Sequence, residues 1–202
     1  MRIIFFGTPL FAACNLEYII DKCYKVVAVI TSPDKKKGRG KRIQQSAVKE
    51  MALKNNILVL QPTNLKSEKF IKKIKSLNAE LFLVVAFRFL PEIVWKIPNK
   101  GTINLHTSML PNYRGAAPIN RVLINGEKET GLSVFYINNK IDCGEIIVQE
   151  RLKIENHTTA GQLHNLLIIK GNKLIKKTLD LISEKKAISS SQNYPKDNKK
   201  AE

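Results

Sequence analysis

An amide, an imidazole and a carboxylate carry the chemistry this sequence can offer. Asn104 and His106 stand two residues apart in Gly101-Thr102-Ile103-Asn104-Leu105-His106, a run that reads as a strand. Side chains two apart on a strand share a face. The pair therefore projects together from the strand's end, where open α/β sheets place their sites. Asp142 follows in the turn-like stretch Asn138-Asn139-Lys140-Ile141-Asp142-Cys143-Gly144. An Asn donor beside a proton-carrying His suits a reaction in which negative charge develops on a carbonyl oxygen. A carboxylate nearby orients the ring. Taken singly, each residue has an ordinary reading: a polar strand end, a satisfied buried imidazole, an Asp in a turn. The joint pattern favours chemistry.

The elements that must position these residues alternate in type. Arg2–Gly7, Val26–Thr31, Ile57–Gln61, Leu81–Phe87 and Thr102–His106 are near-continuous apolar runs, as parallel strands covered on both faces read. Between them, Pro9–Asp21, Ser46–Asn55 and Ser67–Leu77 are expected to be helices. The last places Phe70, Ile71, Ile74 and Leu77 on one stripe, with Ser67 as its N-cap. Alternation of this kind predicts an α/β fold: a doubly wound, mostly parallel, Rossmann-like sheet with helices on both faces. After His106, Gly131–Asn138 and Glu145–Lys153 read as two strands in an antiparallel return. Thr158–Ser183 reads as a helix turning Leu163, Leu166, Leu167, Leu174, Leu179 and Ile182 to a sheet, with Gly171 marking close packing or a break. Residues 1–183 are expected to form one domain. Residues 184–202 have almost nothing apolar to bury and read as a linker or tail.

Charge is lopsided, with 34 Lys+Arg against 17 Asp+Glu, a formal +17. A polyanionic partner (tRNA, another nucleic acid or a membrane surface) is one reading, and a lysine-rich solvated surface is the other. The focused part is Pro33-Asp34-Lys35-Lys36-Lys37-Gly38-Arg39-Gly40-Lys41-Arg42. It reads as a glycine-loosened loop whose Lys35, Lys36, Lys37, Arg39, Lys41 and Arg42 can meet a phosphate backbone. It lacks an aromatic to stack on a base, so its expected role is positional. Cys14, Cys23 and Cys143 form no framework, which fits reduced thiols and a cytoplasmic location. Cys143 borders the candidate site, but no Cys–His pairing is readable there. His106, His157 and His164 have no zinc-type spacing with the cysteines, so no metal is expected. The apolar run at the N-terminus stops at Gly7, too early for a signal peptide, and no stretch is long enough to span a bilayer. Gly7-Thr8-Pro9 reads as a tight turn with Pro9 at or near the first helical position, and the GxGxxG fingerprint is absent.

Asn104, His106 and Asp142, taken with Ser108-Met109-Leu110-Pro111 and Tyr113-Arg114-Gly115-Ala116-Ala117-Pro118-Ile119, resemble the folate-dependent formyltransferases. The similarity is strongest to the branch that acts on initiator methionyl-tRNA. Arg2-Ile3-Ile4-Phe5-Phe6-Gly7-Thr8-Pro9, the basic loop, Gly126–Gly131 and Ile141–Ile146 fit as well. The resemblance implies transfer of a formyl group from 10-formyltetrahydrofolate to the α-amine of methionine on initiator tRNA, with no metal. It makes Asn104, His106 and Asp142 the catalytic trio, with Asn104 and His106 stabilising an oxyanion and Asp142 assisting proton transfer. Ser108, Met109, Leu110 and Pro111 become folate contacts. Phe87, Arg88, Phe89, Leu90 and Ile141 become walls of the pterin pocket, and Arg114 and Gly115 shape the substrate entrance. The basic loop meets tRNA, and the protein is expected to be a monomer. The family's C-terminal β-barrel domain is not in these 202 residues. Departures include Leu10 for an acidic residue, Arg88 for a glycine, Met109 for leucine and Glu145 for aspartate. Glycinamide ribonucleotide formyltransferase is the nearest alternative, though it needs a phosphate-binding glycine/serine turn after the first strand. A sugar-nucleotide formyltransferase would have no use for the basic loop. A non-catalytic RNA-binding remnant would keep that loop and let the pocket decay.

Overall fold

Strand β1 (Arg2–Gly7) behaves as its composition requires: Ile3, Ile4, Phe5 and Phe6 are all 0% exposed, covered on both faces. The computed structural model describes residues 1–37 and 42–193, apart from the side chains of residues 36, 37 and 42. The chain divides into two compact units, Met1–Thr102 and Ile103–Glu202.

In the first unit β1 is followed by α1 (Leu10–Asp21), β2 (Lys25–Ile30), β3 (Lys35–Lys37), β4 (Arg42–Gln44), α2 (Ala47–Lys54), β5 (Val59–Leu60), α3 (Glu68–Ser76), β6 (Leu81–Val85) and α4 (Glu92–Trp95). The strand order is β5-β2-β1-β6, and each of these pairs is parallel. Strand order reverses at β1, which has β2 on one side and β6 on the other. Such a switch point opens a crevice beyond the strands' carboxyl ends. Gly7 ends β1 there, and a Cβ at this position would lie 2.7 Å from Ala12 Cβ and 2.9 Å from the Val85 carbonyl oxygen. Only glycine lets helix and strand approach this closely.

Helix starts follow the sequence signals. The Ser46 hydroxyl accepts from Lys49 N at 3.1 Å, and that of Ser67 from Phe70 N at 3.4 Å. Phe70, Ile71 and Ile74 are the buried stripe of α3. Fully burying side chains of this size stabilises by about 1.5–3 kcal/mol each. The basic segment differs from the expected mobile loop. Lys35–Lys37 and Arg42–Gln44 form an antiparallel ladder, Lys35 opposite Gln44. Gly38, Arg39, Gly40 and Lys41 lie outside the described residues.

The second unit contains most of β7 (Thr102–His106), then α5 (Pro118–Ile124), β8 (Glu129–Tyr136), β9 (Ile146–Lys153) and α6 (Ala160–Ser183). Strand β8 pairs antiparallel with both β7 and β9, as the expected return requires. Helix α6 packs on β8 and β9. It opens with a capping box in which Thr159 and Gln162 satisfy each other's backbone N–H. Its buried stripe is Leu163, Leu167, Gly171, Leu174, Ile175, Thr178, Leu179 and Ile182. Leu166, expected on that stripe, is 37% exposed, one step off the four-residue spacing. Gly171 is buried within an unbroken helix. Among the described residues no helix is long and apolar enough to cross a membrane.

The stretch after α6 is anchored. Ser190 and Ile146 exchange two backbone hydrogen bonds of 2.9 Å, and Gln192 is only 7% exposed. Polar side chains with the right partners bury as readily here as apolar ones, a possibility that composition does not reveal.

Candidate active site

Strand β7 carries Asn104 and His106 on one face, opposite Phe135 and Ser133 of β8. Asn104 is half-buried, and among the described residues its carboxamide has no hydrogen-bond partner. His106 is 7% exposed. Its Nε2 lies 2.8 Å from the Tyr113 carbonyl oxygen. A carbonyl only accepts, so Nε2 carries a hydrogen. That leaves Nδ1 as the nitrogen that takes up or gives a proton. Nδ1 faces Asp142 Oδ2 at 3.7 Å, with the two side chains 9% and 13% exposed. At this separation the contact is longer than a hydrogen bond, and an ion pair only when the ring is protonated. Shielding of both groups limits screening by salt.

The loop after β7 is shaped by backbone groups. Tyr113 has a left-handed φ of 54°. Its hydroxyl donates to Glu127 Oε1 at 2.7 Å and accepts from Asn125 Nδ2 at 3.0 Å. These bonds hold the residue whose carbonyl orients His106. Gly115 N donates to Asp142 Oδ2 at 2.8 Å, and Arg114 Nε donates to the Asp142 carbonyl oxygen at 3.0 Å. Arg114 and Gly115, expected at a substrate entrance, therefore act first on Asp142. Asp142 itself is left-handed, at φ 49°. Gly144, two residues on, passes so close to Tyr136 that a Cβ would fall on its carbonyl group. No other residue fits there without moving the loop from β8.

Ser108, Met109, Leu110 and Pro111 form a turn held from beneath. Ser108 is 0% exposed, and its hydroxyl donates to the Asn112 carbonyl at 2.7 Å. Buried Ser133 accepts from Leu110 N at 3.1 Å and from Gln149 Nε2 at 2.7 Å, and donates to the Ser108 carbonyl at 2.7 Å. Gln149 also donates to the Leu110 carbonyl at 2.9 Å. Leu110 is 4% exposed, and the Met109 side chain lies over Gly131, which has no room for a Cβ. The side chains of Ser108, Met109 and Leu110 thus serve the turn itself.

In the first unit, Phe87–Leu90 leaves the carboxyl end of β6 through Ala86, at φ 48°. Phe89 is 61% exposed and Leu90 3%. The Arg88 guanidinium donates to the Thr63 carbonyl at 3.1 Å and to that of Pro62, and lies 5.7 Å from the Phe87 ring. Arg88 is thereby committed to residues 62 and 63. Asp34, at the base of β3, accepts from Lys49 Nζ at 2.5 Å and from Gln61 Nε2 at 2.7 Å. These bonds, led by the one from Lys49, hold its carboxyl below the usual carboxylate range.

Three contributors had no strong sequence signal. The Tyr113 carbonyl is a backbone group, which any residue could supply. Gln192 stands in a polar stretch and gave no hint of burial. Ser133 was the most legible, a lone hydroxyl inside the apolar strand Gly131-Leu132-Ser133-Val134-Phe135. The Cys143 thiol donates to the Ile141 carbonyl at 3.0 Å. Among the described residues, no group of three or more His, Cys, Asp and Glu side chains could hold a metal.

Comparison with known proteins adds the family. The model of the formyl transferase family matches residues 1–179. The chain is 52% identical over 201 residues to methionyl-tRNA formyltransferase of Flavobacterium johnsoniae, covering 100% of this chain and 64% of that protein. It is 46% identical over 195 residues to the Clostridioides difficile enzyme of the same name, covering 96% and 63%. The chain thus spans less than two thirds of these relatives' length. Among solved structures, glycinamide ribonucleotide transformylase 1 from Symbiobacterium toebii superposes with a TM-score of 0.78 at 17% identity, over 96% of this chain and 94% of that one. A sugar 3N-formyl transferase, crystallised in the presence of dTDP and 5-N-formyl-THF, gives 0.73 at 22%, over 100% and 70%. Likeness at such identities establishes the fold, an α/β sheet that is mostly parallel with helices on both sides. With that fold and the family match over residues 1–179, the chain belongs to the formyl transferase family.

Proposed function

We propose that this protein transfers a formyl group from 10-formyltetrahydrofolate to the α-amine of methionine on initiator tRNA. The observation that carries the reading is the convergence on one strand end of Asn104, His106 and, 3.7 Å from the ring, Asp142. The acceptor is supported by relatives at 46% and 52% identity that bear the name methionyl-tRNA formyltransferase. The basic β3–β4 ladder supports it too, as a surface for a phosphate backbone.

The residues present fit a folate donor. Asn104 has an uncommitted carboxamide, and Ile141 beside Asp142 is 62% exposed, an apolar surface that a ring system would cover. When bound, the donor supplies an electrophilic formyl carbon. Asn104 donates a hydrogen bond to the oxygen that becomes negative as the amine attacks. His106, held through Nε2 by Tyr113, works through Nδ1 and moves a proton between the amine and the leaving nitrogen. Asp142 keeps the ring oriented and assists the proton transfer. Ser108–Pro111 contributes to donor binding, Ser108 and Leu110 through the backbone since their buried side chains are already engaged. No nucleophilic side chain is needed, because the acceptor amine is itself the nucleophile.

The test is formyl transfer from 10-formyltetrahydrofolate to methionyl-tRNA or to glycinamide ribonucleotide, assayed in parallel. The expected product is formylmethionyl-tRNA. Transfer to the ribonucleotide alone would reassign the substrate, and transfer to neither would leave a non-catalytic RNA-binding protein.

A further inference from the structure

We infer that Gln192, from the segment after α6, is a positioning residue that holds the Asp142 loop against His106; this rests on the role proposed above for Asp142. Gln192 is 7% exposed although its neighbours Ser189, Ser190, Ser191 and Asn193 are all polar. Burying a primary amide is unfavourable unless its donors and acceptor are all used, and here they are. Nε2 donates to the Asp142 carbonyl at 3.0 Å and to the Gly144 carbonyl at 2.8 Å. Oε1 accepts from Arg114 Nε at 3.1 Å and from Arg114 Nη2.

The bonds converge on one backbone group. The Asp142 carbonyl accepts from both Arg114 and Gln192, while the Asp142 carboxylate accepts from Gly115. Asp142 is thereby gripped at both ends, at a left-handed φ of 49°, a region that Asp enters more readily than most non-glycine residues. Register is set nearby. Ser190 and Ile146 pair through two backbone bonds of 2.9 Å, and the Ser189 hydroxyl donates to Glu145 Oε2 at 2.5 Å. A segment that composition marks as a linker therefore delivers one amide to the underside of the catalytic loop.

The experiment compares wild type, Gln192→Ala, Gln192→Glu, Asp142→Asn and the double variant Gln192→Ala/Asp142→Asn, all in the full protein. The readouts are kcat, KM, the pH–rate profile and thermal unfolding, with 10-formyltetrahydrofolate and methionyl-tRNA as substrates. Displacing a catalytic group by about an ångström costs up to about a hundredfold. Gln192→Ala is therefore expected to lower kcat by about ten- to a hundredfold with both KM values little changed, and to displace the pH–rate profile. Gln192→Glu keeps the acceptor for Arg114 and loses both donors, so its kcat falls in between. In the Asp142→Asn background the alanine substitution adds little. A lowered unfolding temperature with unchanged kcat and pH profile overturns the inference, as does a multiplicative loss in the double variant. Undiminished turnover by Asp142→Asn overturns the role of Asp142 itself, and with it the inference, whatever Gln192 does.

Discussion

Asn104 reports on the chemistry more cleanly than its partners do. His106 and Asp142 are built into the loops around them, so removing either disturbs several bonds, whereas Asn104 is half-buried with no partner among the described residues. Under the proposed mechanism its truncation removes a donor to the developing oxyanion and little else. Asn104→Ala is expected to lower kcat by about a hundred- to a thousandfold. Its unfolding free energy should shift by less than about 1 kcal/mol, since among the described residues its carboxamide makes no hydrogen bond. A kcat within about threefold of wild type would take Asn104 out of the transition state. The residues most legible from sequence were of this kind, side chains with chemistry at a recognisable spacing. Those that hold them were not. The Tyr113 carbonyl fixes the tautomer of His106 yet could come from any residue, and the amide of Gln192 had no periodicity to mark its burial.

At the scale of elements, the base of the basic ladder shows how charge is held in place. Asp34 precedes β3, and its carboxylate is tied to Lys49 of α2 and to Gln61 after β5. Because Lys49 and then Gln61 lower its pKa in the folded state, the folded form binds its proton less readily than the unfolded chain does. The stabilisation is therefore full above the unfolded value, about 4, and is lost as pH falls through the lower folded value. Urea unfolding of wild type and Asp34→Asn between about pH 7 and pH 3 should show a constant stability difference down to about pH 4 that narrows below it. A difference that stays constant to the acid limit would mean that the ion pair does not distinguish folded from unfolded chain. The long elements were readable because each states its period. β1 and β7 match the apolar runs residue for residue, and α3 and α6 begin at their Ser67 and Thr159 caps. The short ones were not. Helix α5 follows Ala117, which is left-handed and offers no side-chain cap, and α4 is a single turn. The β3–β4 ladder joins three-residue strands whose charges dominate any alternation.

For the molecule as a whole, the α/β class followed from alternation, and the antiparallel turn of the second unit followed from the change of pattern after His106. The division at Thr102/Ile103 did not, because it is a property of which contacts form, and β7 runs through it as one uninterrupted apolar strand. Under the proposed function a carboxamide, an imidazole and a carboxylate of the second unit move a formyl group directly to an amine. Cys143, next to Asp142, offers the competing route, a formyl thioester on the protein. Rapid acid quench during a single turnover, with label in the formyl group of 10-formyltetrahydrofolate and excess protein, separates the two. Under direct transfer, label lost from the folate appears at once on methionyl-tRNA, with none on the protein at any time. Label that passes through Cys143, or that never reaches an amine, would contradict it.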